Sequence, residues 1–330
     1  MSVGPDGQAS GLSHSALAPL VIVGPTASGK SALAVALAHR CPGAEIVSAD
    51  AMAVYRGMDI GTAKPPVAER GGIPHHLIDV ADPSEEYTVA RFQTEVNEVV
   101  AGMVERGAMP IVVGGTGLYV RAVVDNFTVP GRYPEIRAVV EAEPDTARLW
   151  THLDALDPTA AAKILPSNRR RLVRALEVTL GAQRPFSSFG PGVDAYPPSS
   201  FRQVGLRIDR AELDRRIDER YDRQLEAGLV AEVARLARGE LSRTAAQALG
   251  YKELLAHVSG ECTESEAMAI ARTRTKRFAR RQERWFRRDP RISWFDSVRS
   301  DPVDLVDEVE AWWREPDGAT REVAGQRWHR

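Results

Sequence analysis

Three things are scarce in this 330-residue chain: cysteine, long apolar runs and an excess of charge of either sign. The two cysteines, Cys41 and Cys262, lie far apart without a CxxC spacing, which argues against a disulfide framework or a zinc site and fits a reducing cytoplasm. No apolar run approaches the ~20 residues that cross a bilayer. The N-terminal MSVGPDGQASGLSHSA lacks the basic and apolar regions of a signal peptide, so we expect a soluble cytoplasmic protein with a disordered tail over residues 1–17.

Charge is nearly balanced, with 43 Lys and Arg against 45 Asp and Glu and a formal charge of −2. A polyanionic partner would therefore have to bind a local basic patch. Residues 272–288 form such a patch, with nine Lys or Arg, one acid (Glu283) and the aromatic residues Phe278, Trp285 and Phe286 between them. Phosphate neutralisation combined with stacking surfaces is typical of RNA binding, and the alternative is a solvated helix face. A weaker second cluster comprises Arg169, Arg170, Arg171 and Arg174.

The first third of the chain alternates short apolar runs with helical patterns, which predicts a parallel α/β sheet flanked by helices. The predicted strands cover 20–23, 46–47, 77–80 and 111–113.

Strand signals vanish after Pro134, and the short helical patterns at 158–164 and 168–180, the second ended by Gly181, predict an inserted all-helical lobe. A strand pattern returns at 204–208, long helices are predicted over 210–228 and 263–287, and a last strand is predicted near Ile292. The predicted organisation is thus an α/β core over 18–131 and 201–314, interrupted by the helical lobe at 132–200 and followed by a flexible tail at 315–330.

The most informative stretch is GPTASGKS, which satisfies G-x-x-x-x-G-K-[ST] between a predicted strand and a predicted helix. Its glycines let backbone N–H groups surround an anion, and the helix N-terminus adds positive partial charge. Lys30 supplies a cation, and the hydroxyl of Ser31 suits Mg²⁺. A P-loop-type sheet is therefore expected, with a phosphate-binding loop made of Gly24, Pro25, Thr26, Ala27, Ser28, Gly29, Lys30 and Ser31.

One part of an NTPase is not evident. There the Mg²⁺ is also held by an Asp at the end of another apolar strand, but PIVVGGTGLYV ends in Gly114, Gly115 and Thr116. Asp79 could substitute, although IDV continues the strand pattern. The ATPase interpretation is thereby weakened, and the loop could instead bind a diphosphate that is itself the leaving group.

A carboxylate is expected beside the phosphate loop. Asp50 follows the strand that contains Ile46 and Val47, and open α/β sheets bind their ligands at the carboxyl ends of their strands. Catalysis and a helix N-cap are both compatible with this position.

Seven segments then carry a resemblance: GPTASGKS, SADAMAVYRGMDIGTAKP, IPHHLIDVADPSEEYTVARF, PIVVGGTGLY, NRRRLVRALEV, ALGYKE and RFARRQERWFRRDPRISWFD. In this order, from Leu20 to Asp296, the chain resembles the tRNA dimethylallyltransferases, also called tRNA isopentenyltransferases. It is similar to the bacterial form because it has no Cys/His zinc finger. The resemblance implies transfer of a dimethylallyl group from dimethylallyl diphosphate to N6 of the adenosine 3′ of the anticodon, with Mg²⁺ and release of diphosphate.

The resemblance also implies residue roles. Asp50 would accept a proton from N6, Thr116 would contact the target nucleotide, and Lys30 and an Mg²⁺ on Ser31 would stabilise the leaving group. Two departures are Ala51 and Ala53, where family members commonly have Ser and Gln. The residues matching tRNA-contacting motifs are Asp50, Ala51, Met52, Ala53, Thr116, Arg170, Arg171, Leu172, Val173, Arg174, Gln247, Gly250, Tyr251, Lys252, Arg280, Arg281, Gln282, Arg284, Trp285 and Arg287.

Several alternatives stay open from the sequence. The chain could be an RNA-binding P-loop NTPase or small-molecule kinase, or a tRNA-binding protein without catalysis. His75 and His76 point to opposite faces of a strand and are unsuited to sharing a metal ion. Arg216 and Arg220 could reach a diphosphate or form surface ion pairs. We expect a monomer whose partners are the tRNA anticodon stem-loop and dimethylallyl diphosphate, with no membrane contact.

Overall fold

The computed structural model describes residues 17–297 and 302–315, so most of the two predicted tails lies outside the described residues. Its centre is a six-stranded, fully parallel sheet in the order β3-β2-β4-β1-β5-β6, which confirms the expected α/β class. The strands are β1 (Leu20–Val23), β2 (Ala44–Ser48), β3 (His75–His76), β4 (Met109–Gly114), β5 (Arg202–Arg207) and β6 (Ile292–Asp296).

Strand β1 lies in the middle of the sheet and explains where the phosphate loop sits. All four of its residues, Leu20–Val23, are fully buried, as expected for a parallel strand covered by helices on both faces. It pairs with β4 on one side and β5 on the other. The loop that follows β1 therefore opens at the centre of the carboxyl edge of the sheet.

The strand predicted at 77–80 is wrong. The chain forms a strand only at His75–His76, because Leu77 and Asp79 have φ values of 60° and 59°, a left-handed conformation that a strand cannot contain. Leu77 is nevertheless buried, so its apolar side chain reaches the core from a turn.

Twelve helices occur in the described part of the chain. They are α1 (Lys30–Arg40), α2 (Val89–Glu105), α3 (Gly117–Asp125), α4 (Pro134–Glu141), α5 (Thr146–Leu156), α6 (Pro158–Ala161), α7 (Arg169–Ala182), α8 (Arg210–Glu226), α9 (Leu229–Leu236), α10 (Tyr251–Val258), α11 (Glu264–Phe286) and α12 (Val306–Arg314).

The longest helix, α11, begins as the sequence predicts. Thr263 and Glu266 form a capping box, in which Thr263 Oγ1 accepts from the Glu266 N–H at 3.3 Å and Glu266 Oε2 accepts from the Thr263 N–H at 2.9 Å. None of the twelve helices is long and apolar enough to cross a bilayer.

The described chain forms two compact units, one up to Val120 and from Ser199 onward, the other Arg121–Pro198. The first contains the sheet, whose apolar core packs against α1 and α12. The second overlaps almost all of the lobe predicted at 132–200, and its core is formed by apolar residues of α4 to α7. The division into functional domains at 18–131, 132–200 and 201–314 stays a prediction.

Helix α7 corrects one detail of the second unit. It does not end at Gly181 but continues to Ala182, and Gln183 takes the left-handed conformation at its end (φ 53°). Gly181 is instead a packing position, because a Cβ there would overlap the ring of Tyr133.

Candidate active site

A cavity of about 240 Å³ opens in the first unit at the carboxyl edge of the sheet. Its wall includes residues of the phosphate loop at 24–31, the turn after β2 at 48–53, Gly114 and Gly115 at the end of β4, a loop at 62–65 and Arg220 of α8. The phosphate loop, Asp50 and the Gly-Gly-Thr segment, which the sequence placed far apart in the chain, thus meet at one site.

The phosphate loop has a backbone suited to anions. Ala27 and Gly29 are both left-handed, with φ values of 64° and 86°. The N-cap of α1 is Gly29, so no N-cap side chain occupies the first amide groups of the helix. The first turn of α1 also contains no acidic residue. The amide groups at the start of α1 are therefore available to an anion, and the helix dipole favours it.

Lys30 lies at the wall of this cavity. Its Nζ donates a hydrogen bond to the carbonyl oxygen of Pro25 at 2.7 Å. Burial lowers the pKa of Lys30 to about 8, with Asp50 raising it and Arg220 lowering it further. A bound anion would offset both the burial and the repulsion, so the site favours a negatively charged ligand.

Arg220 projects from α8 into the same cavity. Its Nη1 donates to Thr26 Oγ1 at 2.6 Å, and its buried Nε has no hydrogen-bond partner among the residues that the structure describes. Burial lowers the pKa of this guanidinium. A buried N–H donor of a cation without an acceptor is costly, and a phosphate oxygen would satisfy it.

Arg216, one turn earlier on α8, behaves differently. Its Nε donates to Glu212 Oε1 at 2.7 Å, as expected of a surface ion pair on one helix. The two alternatives left open by the sequence are therefore divided between the two arginines, since only Arg220 lines the cavity. No local signal distinguishes them, because the choice depends on which face of α8 packs against the phosphate loop.

Asp50 uses one oxygen as a cap. Its Oδ1 accepts from the backbone N–H groups of Met52 at 2.8 Å and Ala53 at 3.3 Å. Oδ2 receives no hydrogen bond from the described chain. Capping and proton transfer are thus compatible in one side chain, because each can use a different oxygen.

Thr116 joins the loops after β2 and β4. Its Oγ1 accepts from the Ala51 N–H at 3.2 Å, which brings Thr116 next to the Asp50 turn. Close packing there requires glycine, because a Cβ at Gly114 would overlap the backbone of Ala49.

Gln282 connects α11 to the cavity. Its Oε1 accepts from the Thr26 N–H at 2.9 Å, and its Nε2 donates to the Gly115 carbonyl oxygen at 2.9 Å. The side chain is buried, so both ends of its amide are used inside the protein. Trp285, one turn further along, lies so close to Gly117 that a Cβ there would overlap its indole ring. Sequence reasoning assigned both residues to tRNA; in this structure they pack against the loops of the site.

The second half of α11 presents an exposed set of arginines, which we call the basic face: Arg277, Arg280, Arg281 and Arg284. Spacings of three and four residues put them on neighbouring positions of one side of the helix. None forms an ion pair with another described residue, although Arg281 lies over the ring of Phe278 at 5.6 Å.

The first half of α11 is different, because its cations are paired. Arg272 binds Asp222 at 2.6 Å, Lys276 binds Asp218 at 2.6 Å and Arg274 binds the buried Glu253. The cations in the first half of the basic patch therefore join α11 to the acids of α8 and α10. Further along, Arg287 pairs with Glu283.

In the second unit, the predicted tRNA-contacting residues divide by exposure. Leu172 and Val173 are buried in its core, so their side chains hold α7 in place. Arg174 donates to Glu177 and to the Pro130 carbonyl oxygen, both at 2.9 Å. Arg170 and Arg171 are exposed and form no ion pair within the described residues. Their contacts with tRNA stay predictions.

The ALGYKE segment is divided similarly. Gln247 and Lys252 are exposed and hydrogen-bonded to each other at 2.8 Å. Gly250 and Tyr251 are buried, and the Tyr251 hydroxyl donates to Glu232 at 2.6 Å. A role for Tyr251 in holding the protein together was not foreseen from the sequence.

The two adjacent histidines have separate partners, as the strand geometry predicts. His75 Nδ1 lies 2.8 Å from the Ile73 carbonyl oxygen, and His76 Nε2 lies 2.6 Å from Glu45 Oε2. In residues 17–297 and 302–315, no group of three or more His, Cys, Asp or Glu side chains is arranged to hold a metal ion.

Comparisons with known proteins agree on the family. The profile of the IPP transferase family matches residues 53–289, and that of the isopentenyl transferases matches residues 19–80. The chain is 52% identical over 306 residues to a tRNA dimethylallyltransferase of Kineococcus radiotolerans, covering 88% of this chain and 95% of the relative. It is 50% identical over 291 residues to one of Streptomyces avermitilis, covering 87% and 92%.

Solved structures give the same result. A tRNA isopentenylpyrophosphate transferase of Bacillus halodurans is 38% identical with a TM-score of 0.66, covering 91% of this chain and 97% of that one. A eukaryotic dimethylallyltransferase acting on tRNA is 28% identical with a TM-score of 0.74, covering 89% and 77%. The fold, the order of the motifs and the extent of these matches lead to one conclusion: the chain belongs to the IPP transferase family of tRNA dimethylallyltransferases.

Proposed function

We propose that this protein transfers the dimethylallyl group of dimethylallyl diphosphate to N6 of the adenosine immediately 3′ of the anticodon in tRNA, and releases diphosphate. The observation that carries the proposal is the pair of partly buried cations, Lys30 and Arg220, beside a phosphate loop and a single carboxylate, Asp50. Two cations against one carboxylate leave a net positive charge, which a diphosphate would neutralise.

The phosphate loop then stabilises a leaving group. Departure of diphosphate from the allylic carbon transfers negative charge to its oxygens, and fixed donors around those oxygens lower the barrier. Lys30, Arg220 and the amide groups at the start of α1 are donors of this kind. Because Pro25 holds the Lys30 side chain and Thr26 holds the Arg220 side chain before the ligand arrives, little reorganisation is required.

Mg²⁺ fits the donors that the cavity offers. The Ser31 hydroxyl is exposed at the start of α1 and lines the cavity. Few protein ligands supplemented by substrate phosphates and water suit Mg²⁺. Bound there with the diphosphate, Mg²⁺ would supply charge neutralisation for the leaving group.

Asp50 is the proposed general base. The exocyclic amine of adenine is a poor nucleophile because its lone pair is delocalised into the ring, so a positioned proton acceptor assists attack. Oδ1 fixes the side chain through Met52 and Ala53, which leaves Oδ2 for the N6 proton. Thr116, linked to the same turn through the Ala51 amide, is the proposed contact to the flipped-out adenosine.

The tRNA anticodon stem-loop is proposed to bind the basic face of α11 and the exposed arginines of α7, Arg170 and Arg171. These side chains are exposed members of the two basic clusters and form no ion pair with another described residue. The proposal places the reaction in the cytoplasm, where tRNA is modified, and assigns it to a single chain.

A P-loop NTPase or kinase is the second candidate function, but no observation on the described residues supports it. The segment after β4 contributes Gly114 and Gly115 to the cavity where such an enzyme would carry an Mg²⁺-binding Asp. The relatives identified above are transferases by name.

The proposal is tested by incubating purified protein with unmodified tRNA, dimethylallyl diphosphate and Mg²⁺. The expected result is N6-dimethylallyladenosine on hydrolysis of the tRNA, with one equivalent of diphosphate released per modified nucleoside. The matched reaction with ATP in place of dimethylallyl diphosphate should give neither prenylation nor hydrolysis. Hydrolysis of ATP without prenyl transfer would favour the NTPase.

A further inference from the structure

The loop at 59–65 is held in place by one buried carboxylate. Glu232 of α9 is only 6% exposed, and it accepts from the backbone N–H groups of Asp59 at 2.9 Å, Ile60 at 2.9 Å and Gly61 at 3.2 Å. Three successive amides aimed at one anion form a concave anion-binding backbone, and here a side chain of the protein fills it.

Two further side chains complete this arrangement. The Tyr251 hydroxyl donates to Glu232 Oε1 at 2.6 Å, and Gln224 Nε2 donates to the Ile60 carbonyl oxygen at 2.6 Å. The ring of Tyr251 lies against Gly61, where any Cβ would overlap it. Burial and the Glu232 carboxylate raise the pKa of Tyr251, so its hydroxyl stays a donor. We call Glu232, Tyr251 and Gln224 the loop clamp.

The clamped loop leads directly into the cavity. Its second half, 62–65, lines the cavity together with Ala53, His75 and Ile78, and His75 Nδ1 already lies 2.8 Å from the Ile73 carbonyl oxygen. The Lys64 side chain, 4% exposed, is neutralised by Asp59 at 2.8 Å and Asp79 at 2.6 Å. This part of the wall is therefore apolar or already paired, and suits a hydrocarbon group better than a phosphate.

We propose that Glu232, through the loop clamp, is a positioning residue for the prenyl part of the substrate. It fixes the loop at 59–65 so that the cavity wall fits a short branched hydrocarbon, while Lys30 and Arg220 bind the diphosphate independently of it. The identity of the hydrocarbon rests on the proposed function; the dependence of the loop on Glu232 does not.

The test compares Glu232→Gln with Glu177→Gln in the full-length protein. Glu177 is a matched control, since it is also a buried Glu with hydrogen bonds to a backbone amide and a cation, but it binds Tyr133 and Arg137 and belongs to the second unit. Hydrogen exchange of the Asp59, Ile60 and Gly61 amides is measured first. We expect at least about tenfold faster exchange in Glu232→Gln and no change at these amides in the control.

Binding is measured next, by calorimetry without tRNA. Glu232→Gln should weaken the binding of dimethylallyl diphosphate about tenfold, because the buried amide donors of the loop lose their acceptor. The binding of inorganic diphosphate should weaken by less than about twofold. The KM for dimethylallyl diphosphate should rise with it, while the KM for tRNA should not. Tyr251→Phe removes a single hydrogen bond and should move each quantity in the same direction by a smaller amount.

Three outcomes would overturn the inference: unchanged exchange at 59–61, equal losses for dimethylallyl diphosphate and inorganic diphosphate, or the same losses in the control. If Glu232→Gln does not fold, Tyr251→Phe decides on the same readouts. Failure of the wild-type protein to bind dimethylallyl diphosphate would refute the proposed function instead, and the exchange experiment would still decide whether Glu232 holds the loop.

Discussion

The cavity has two parts that are built in different ways. The phosphate loop is shaped by its own residues, with Ala27 and Gly29 left-handed and Lys30 bonded to Pro25 five positions earlier. The loop at 59–65 is instead shaped by side chains 164 to 173 residues away, from Gln224 and Glu232. The phosphate loop and the Asp50 turn, which is held by Met52 and Ala53, are called the locally built part. The loop at 59–65 and the groups supplied by the helices after β5 are called the remotely built part.

The difference has a functional meaning. Groups proposed to act on reacting atoms, Asp50 and Lys30, lie in the locally built part. Groups that secure or bind ligands, Arg220, Gln282 and the basic face, come from the long helices after β5. Damage to the first part should therefore lower the chemical rate. Damage to the second should mainly weaken binding, except at Arg220, which shares the leaving group with Lys30 and should affect both.

The largest expected effect is at Asp50. Asp50→Asn keeps the shape and the capping oxygen but removes the proton acceptor, so single-turnover prenyl transfer should fall by about two to four decades with both substrates saturating. Thermal stability and tRNA binding should persist, because Asn caps a turn about as well as Asp.

Asp50→Ala is the matched control for the capping role. Loss of the two hydrogen bonds to Met52 and Ala53 should lower the free energy of unfolding by about 1 kcal/mol. A rate for Asp50→Asn close to that of the wild type would remove Asp50 from the chemistry and leave it a cap.

Sequence reasoning predicted where residues lie when the information is local. GPTASGKS carries its conformation in its own glycines and its position between a strand and a helix, and Asp50 follows from the rule for carboxyl ends of parallel strands. The fold class was confirmed for the same reason, since buried strands of a parallel sheet are continuous apolar runs such as 20–23.

It failed where a residue's role depends on distant packing. Arg216 and Arg220 are equivalent in the sequence, and only the placement of α8 beside Thr26 separates them. Leu77 reads as a strand residue because it is apolar, yet it is buried from a left-handed turn. Glu232 gives no local signal at all, since its partners are backbone amides about 170 positions away.

Lys30→Ala is the second test of the locally built part. Because the ammonium is proposed to stabilise charge on the departing diphosphate, turnover at saturating substrates should fall by about a hundredfold or more. The tRNA dissociation constant should not change, since the basic face of α11 is intact. A variant that turns over normally once saturated would restrict Lys30 to ground-state binding.

The basic face tests the remotely built part. Replacing Arg280, Arg281 and Arg284 together by Gln should weaken tRNA binding about tenfold to a hundredfold and flatten its salt dependence by about one unit of slope per lost phosphate contact. Dimethylallyl diphosphate should bind as before, and single-turnover chemistry at saturating tRNA should be nearly normal.

Lys276→Gln is the matched control on the same helix, because Lys276 already forms an ion pair with Asp218. It should leave the salt slope within experimental error. Equal effects of the control and the triple variant would mean that the helix acts through overall charge rather than through a defined RNA contact.

Arg220 and Arg216 give a sharper comparison on one helix. Arg220→Gln removes a buried donor from the cavity and should weaken the binding of inorganic diphosphate about thirtyfold. Arg216→Gln removes only a surface ion pair and should change this affinity by less than about twofold. Both are measured by calorimetry at constant ionic strength. Equal losses would show that Arg220 does not reach the ligand.

The smallest expected effect is a pH dependence that arises at Lys30. Burial lowers the pKa of this ammonium to about 8, so it is mostly protonated at pH 7 and mostly neutral at pH 9. If the diphosphate requires the cation, kcat/KM for dimethylallyl diphosphate should fall by about tenfold between pH 7 and 9, because this quantity reports the pKa of the free enzyme.

Lys30→Arg separates this effect from other titrations. Arginine keeps its charge throughout this range, so the variant should have a lower but flat kcat/KM between pH 7 and 9. With the wild type, saturation by dimethylallyl diphosphate should shift the fall to higher pH, because the bound anion favours the protonated ammonium. A wild-type profile that stays flat to pH 9, or a fall that persists in Lys30→Arg, would show that the cation needed for the diphosphate is not Lys30 but one of the remotely contributed arginines.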